Sequence, residues 1–131
     1  VTRRVFTPQE ANRTLPLVRK IVADILDVGR ELRSLWEQER DGELDLSSGE
    51  RRRAEEVVKE LEGYFRELDQ IGCSFRSPDF SLGLVDFPAV IEDELVHLCW
   101  RSDEDELLYY HDPRAGFAGR KRIPAELLAT E

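Results

Sequence analysis

Residues 8–72 read PQEANRTLPLVRKIVADILDVGRELRSLWEQERDGELDLSSGERRRAEEVVKELEGYFRELDQIG, and the spacing of apolar side chains along them decides the fold. Ala11, Leu15, Val18, Val22, Ile25, Gly29, Leu32 and Trp36 recur at alternating intervals of four and three. On a helix that rhythm draws one stripe down one face. Ile21, Val28 and Leu35 make a second row beside it. Thr7 can cap the start, Pro8 suits the first helical position and Glu10 completes a capping box. Pro16 removes a backbone donor and crowds the preceding turn. The spacing therefore predicts a short segment, a kink near residues 12–15, then a long helix to about Glu39. Asp41-Gly42 breaks it, and a loop runs to Leu46. Ser47-Ser48-Gly49-Glu50 offers a second capping box, after which Ala54, Val57, Leu61, Tyr64, Leu68 and Ile71 repeat the rhythm, flanked by Val58 and Phe65. Gly72 stands where the residue after a helix end belongs. Each long helix of about 24 residues would span about 36 Å. So short a connection forces the two antiparallel.

Each helix has more apolar rows than a two-stranded coiled coil uses. Ile21, Val28, Leu35, Val58 and Phe65 need a further cover, supplied by the C-terminal half of the chain or by a second copy. Those five are the expected interface, and a homo-oligomer, with a dimer favoured, or another protein is the expected partner.

After Cys73 the period changes. Phe75 to Asp79 reads as a loop, and Leu84–Phe87 as a strand closed by Pro88. Glu94–Trp100 alternates Val96, Leu98 and Trp100 against Leu95, His97 and Cys99, which is strand periodicity. Glu106–His111 is a third strand, residues near Phe117–Ile123 allow a fourth, and Pro124 opens a terminal helical turn. The expected fold is one α+β domain over 1–131. It has an antiparallel helical hairpin at about 8–72 and an antiparallel sheet of three or four strands at about 83–123.

Composition excludes several classes. A net charge of -9 disfavours a nucleic-acid partner, although Arg51-Arg52-Arg53 and Arg120-Lys121-Arg122 are local basic runs. Two cysteines, Cys73 and Cys99, cannot make a disulfide scaffold and read as buried thiols. No apolar run approaches the ~20 residues of a membrane span, and Arg3 and Arg4 are followed by no apolar leader segment. The expected location is cytoplasmic, with no membrane partner.

Phe6-Thr7, Glu10-Ala11-Asn12, Leu15-Pro16, Gly83-Leu84-Val85-Asp86-Phe87-Pro88, Leu98-Cys99-Trp100, Tyr110-His111, Gly116 and Gly119-Arg120 occur in an order that resembles a family of small bacterial proteins catalogued as domain of unknown function 2203. The resemblance covers nearly the whole chain and implies no activity or catalytic residues. Two positions depart from the family pattern: Asp103 stands where a glycine is usual, and Tyr110 where a tryptophan is.

The polar members of those motifs are the candidate site. Asp86, a carboxylate between Val85 and Phe87, could be a structural acid paired with Arg120, or a general base or metal ligand. His97 and Cys99 share a strand face, and with His111 could make a three-ligand zinc site to which Asp86 adds a fourth, although the spacing matches no standard zinc signature. Asp86, His111 and Arg120 could alternatively hold a small acidic ligand, with Gly116 and Gly119 allowing close backbone approach. The leading expectation is a non-enzymatic interaction or self-association module built on the hairpin, with no cofactor. The alternative is a small-ligand- or metal-binding, even hydrolytic, protein with its site near Asp86, Cys99, His111 and Arg120.

Overall fold

The computed structural model describes residues 4–40, 42, 48–77 and 79–129. Helix α1 (Pro8–Arg40) and helix α2 (Ser48–Ile71) form the antiparallel hairpin. The first capping box is present: Glu10 N donates to Thr7 Oγ1 at 3.1 Å and Thr7 N donates to Glu10 Oε1 at 3.1 Å. The second rests on Ser47 and lies outside the described residues, as does most of the loop that follows Asp41. Gly42 and Gly72 both take positive φ, 73° and 109°. At Gly72 the N–H groups of Gly72 and Cys73 both close on Leu68 O, which ends α2 as expected.

The short segment and the long helix expected on either side of Pro16 are one continuous element. Helix α1 is one element of 33 residues, about 50 Å long at the usual rise. Pro16 is exposed, so the Asn12 carbonyl that it leaves unbonded lies on the hydrated side of the helix, where water can satisfy it. The hairpin is tied across by Arg53, whose Nε and Nη2 donate to the two Glu31 oxygens at 2.6 and 2.8 Å. One of the three consecutive arginines is therefore engaged in a half-exposed ion pair across the hairpin.

The sheet has five strands in a simple meander, against the three or four expected: β1 (Ser74–Phe75), β2 (Leu84–Ile91), β3 (Glu94–Arg101), β4 (Tyr109–His111) and β5 (Lys121–Arg122). All neighbours are antiparallel. The second residue of β1, Phe75, falls in what the sequence reads as loop. Pro88 does not close β2, because its carbonyl faces away from β3 and accepts from Phe6 N at 2.7 Å. The missing N–H is thus on the side of the strand that β3 does not use. Residues 117–119, expected in a fourth strand, form a 3-10 turn before β5. A last helical turn, α3 (Ala125–Leu128), follows Pro124 as expected.

One face of the sheet carries Val85, Phe87, Ala89, Ile91, Val96, Leu98 and Trp100, all buried in a core shared with Val18, Val22, Ile25, Val57 and Leu68 of the hairpin. Side chains alternate along strands, so Leu84, Asp86, Pro88, His97, Cys99, Tyr109 and His111 lie on the opposite face. Asn12 joins the layers: its Oδ1 accepts from Leu107 N at 2.8 Å and its Nδ2 donates to Leu107 O at 3.1 Å. At the loop before β2 a side chain on Gly29 would meet the Phe80 ring at 2.1 Å, so the glycine makes room for the ring against α1. Of the expected interface residues, Ile21 is buried within the chain, Val28 and Leu35 are half-buried, and Val58 and Phe65 remain partly exposed. Trp36, which the heptad spacing assigns to the helix seam, is 55% exposed. No described helix is long and apolar enough to cross a membrane.

Candidate metal centre

The strand pairing brings the site together. His97 on β3 lies directly opposite His111 on β4, and Asp86 on β2 lies opposite Cys99, two residues along β3 from His97. All four share the face of the sheet that turns away from the helices. Yet Asp86 is only 7% and His111 only 2% exposed. The segment carrying Pro113, Gly116 and Phe117 folds over them, leaving a cleft of about 260 Å³ that Arg76, Leu84 and Cys99 complete.

Asp86, His97 and His111 each offer one donor atom within 4.8 Å of the others. His111 Nε2 is 3.2 Å from Asp86 Oδ1, and His97 Nδ1 is 3.5 Å from Asp86 Oδ2. The two imidazole rings meet edge to face with centroids 5.5 Å apart. Arg76 Nε is 3.8 Å from Asp86 Oδ2. Sequence reasoning misses Arg76, because the two-residue strand before it has no periodicity to read.

The tautomer of His111 follows from its other neighbour. His111 Nδ1 is 2.8 Å from the Asp112 carbonyl oxygen. A carbonyl only accepts, so Nδ1 carries the hydrogen. In a neutral ring Nε2 is then a bare lone pair aimed at a carboxylate oxygen, which is repulsive. A proton on the ring or a cation between the two atoms removes the conflict. A ring N–H held by a backbone carbonyl is also the usual support of a metal-ligating histidine.

Cys99 and Arg120 have other surroundings. Burial pushes the Cys99 thiol up to about 12, and the Asp86 carboxylate beside it adds to the effect. A protonated, 1% exposed thiol packs rather than attacks, and Cys99 is not among the three residues whose donors converge. Arg120 does not reach Asp86 as its partner. Its Nη2 donates to Glu104 Oε2 at 2.5 Å, and its guanidinium lies over the rings of Tyr109 at 4.0 Å and Phe117 at 4.8 Å. It therefore locks the turn after β3 to the segment before β5, one step behind the cleft wall. Glu104 also caps that turn through Arg101 N at 2.8 Å. Asp103, which replaces the usual glycine, has no positive φ, so the turn does not need glycine there. Tyr110 is on the core face of β4 and is not beside the His111 ring.

No curated protein and no solved structure matches this chain. One family model does, over residues 4–123, from the start of the hairpin through the last strand. The chain belongs to that family, described as an uncharacterized conserved protein, DUF2203.

Proposed function

We propose that this chain is a divalent-metal-binding protein whose ligands are Asp86, His97 and His111. The observation that carries this reading is the His111 ring, with Nδ1–H on the Asp112 carbonyl and Nε2 turned to Asp86 at 3.2 Å. The spacing supports it too. Two donors each about 2.1 Å from a tetrahedral zinc stand about 3.4 Å apart, and the three donors, one per residue, lie within 4.8 Å of one another, so an inward shift of about 1 Å completes the set. Two imidazoles and one carboxylate suit Zn²⁺, Fe²⁺, Co²⁺ or Ni²⁺ better than Mg²⁺ or Ca²⁺, which prefer oxygen. The metal proposed from the sequence thus keeps His97 and His111, takes Asp86 as its third ligand and leaves Cys99 outside.

The test is calorimetric titration of chelator-treated protein with Zn²⁺. One equivalent per chain is expected, lost in His111→Ala and in Asp86→Asn. A wild-type titration with only the heat of dilution overturns the reading.

A separate observation favours self-association, the role first expected of the hairpin. Between the far ends of α1 and α2 runs an apolar groove of about 410 Å³ floored by Leu32, Leu35, Trp36 and Val58. Its rim carries both signs: Arg51 and Lys59 with Glu39, Glu55 and Glu62. A second copy turned by a two-fold axis can set basic groups against acidic ones, whereas a partner of one sign meets repulsion from part of the rim. Sedimentation should give a dimer for the wild type and a monomer for Trp36→Glu. A monomeric wild type at micromolar concentration removes this role.

A further inference from the structure

We infer that the metal centre takes a small oxyanion, a carboxylate or phosphate, as its exogenous ligand, with Arg76 as the second anchor. The inference rests on the metal reading and goes beyond it by naming what the open coordination position receives.

Charge makes the first argument. With a divalent ion in place, the cleft holds two positive charges from the metal and one from Arg76 against the single carboxylate of Asp86. A surplus of two positive charges at a half-enclosed site draws an anion, even in a chain whose net charge is -9. Coordination makes the second. Three protein donors converge, and a site with three protein ligands keeps a position for water or another ligand. All three ligands and Arg76 line the same cleft, so that position opens beside the guanidinium. Arginine matches carboxylate and phosphate because its planar fork donates two parallel hydrogen bonds to two oxygens.

The walls set the rest of the ligand. Leu84, Pro113 and Phe117 are apolar, and Gly116, with φ 64°, brings backbone close to the opening. The 260 Å³ volume falls just under the ~300–1,000 Å³ of clefts that take drug-sized molecules. The ligand is a metabolite-sized anion with a short apolar body. A second cleft of about 550 Å³ adjoins across Arg76, Asp86 and His97. It shares two of the metal ligands but not His111, so the anion is placed in the smaller one.

The experiment uses the Co²⁺-loaded full chain, whose visible absorption reports the coordination sphere, titrated separately with acetate, benzoate and inorganic phosphate. Saturable change of the Co²⁺ spectrum is expected. The stronger response among acetate and phosphate identifies the head group, and benzoate tighter than acetate identifies the apolar wall. Arg76→Gln should weaken the effective anion at least tenfold while Co²⁺ affinity stays equal or rises, because Asp86 loses a competing cation. A Co²⁺ spectrum that forms but ignores all three anions overturns the inference and leaves the metal reading standing. So does an equal response in Arg76→Gln. Failure of any Co²⁺ spectrum to form overturns both.

Discussion

Replacing Asp86 by asparagine separates a metal centre from a buried ion pair, because only a metal centre makes Tm depend on Zn²⁺ through that side chain. The amide introduced by Asp86→Asn keeps the shape of the side chain and turns its Nδ2 toward the His111 Nε2 lone pair, 3.2 Å from the present Oδ1. The variant's amide donates to that lone pair, a hydrogen bond of about 1 kcal/mol, in place of a wild-type carboxylate contact of at most about 3 kcal/mol. The lost attraction of the mostly exposed Arg76 adds about 0–1 kcal/mol. The metal-free variant should therefore lie within about 3 kcal/mol of metal-free wild type. A chain of 131 residues at about 2.1 cal/mol/K per residue unfolds with about 0.28 kcal/mol/K. The expected fall in Tm is under about 11 °C. The metal arm runs the other way. A ligand at a hundred times its Kd stabilises by about 2.7 kcal/mol, so Zn²⁺ should raise wild-type Tm by about 10 °C and leave the variant unmoved. Differential scanning fluorimetry with chelator and with Zn²⁺ reads both arms. A wild type whose Tm is indifferent to Zn²⁺, or a variant that gains as much from Zn²⁺ as the wild type, refutes the metal centre.

Four further changes test the scaffold. Glu92 and Asp93 hold positive φ of 53° and 65° in the turn between β2 and β3, where Asn-Gly is favoured, so Glu92→Asn with Asp93→Gly should stabilise by about 1–2 kcal/mol in urea unfolding. Gly29→Ala gains about 1 kcal/mol of helix propensity but drives its new methyl into the Phe80 ring, a clash that costs about 1–3 kcal/mol; a net fall in Tm is expected, and a rise would show that the ring swings out freely. Arg120→Gln breaks a pair with Glu104 whose side chains are 10% and 15% exposed; it should lower stability by about 3 kcal/mol while the folded variant still binds one equivalent of Zn²⁺. Cys73 is buried and its thiol is pushed up to about 12 from an ordinary 9.0, so the native state holds a proton that the unfolded state releases. The stability tied to that thiol is full below about pH 9 and is lost as pH rises toward 12; Cys73→Ala should flatten the fall in urea midpoint between about pH 9 and 11.

Helices are legible because their signal repeats. Eleven apolar or small positions in α1 point the same way, and one exception such as Pro16 cannot reverse them. The heptad is less informative about which rows are covered: Ile21 and Trp36 exchange roles, because the sheet packs beside the hairpin along only part of its length and the far end has no third layer among the described residues. Short strands give no such repetition. Ser74–Phe75 and Lys121–Arg122 are held by their neighbours, and a two-residue element has no period. For the same reason Arg76 carries no sign of its place in the site. Asp86 is visible as an acid in an apolar strand, and His97 and Cys99 as neighbours on one face. Arg120 misleads as a partner for Asp86, since a family motif marks a packed arginine as readily as a ligand-binding one.

What the sequence withholds is register, and the centre depends on it entirely. His97 faces His111, and Asp86 sits diagonally beside them, only because β2 and β3 are paired about the Glu92-Asp93 turn and β4 is fixed against β3. A slip of one residue between β3 and β4 would send His111 to the core face and bring Tyr110 outward. The contacts behind the cleft oppose that slip: Asn12 holds Leu107 from α1 at 2.8 and 3.1 Å, and Arg120 holds Glu104 at 2.5 Å. Both brace the connection between β3 and β4, and neither Asn12 nor Arg120 lines the cleft. The long helix and the packed arginine therefore act on the centre by holding register, and loss of either brace alone leaves the other to keep His111 opposite His97.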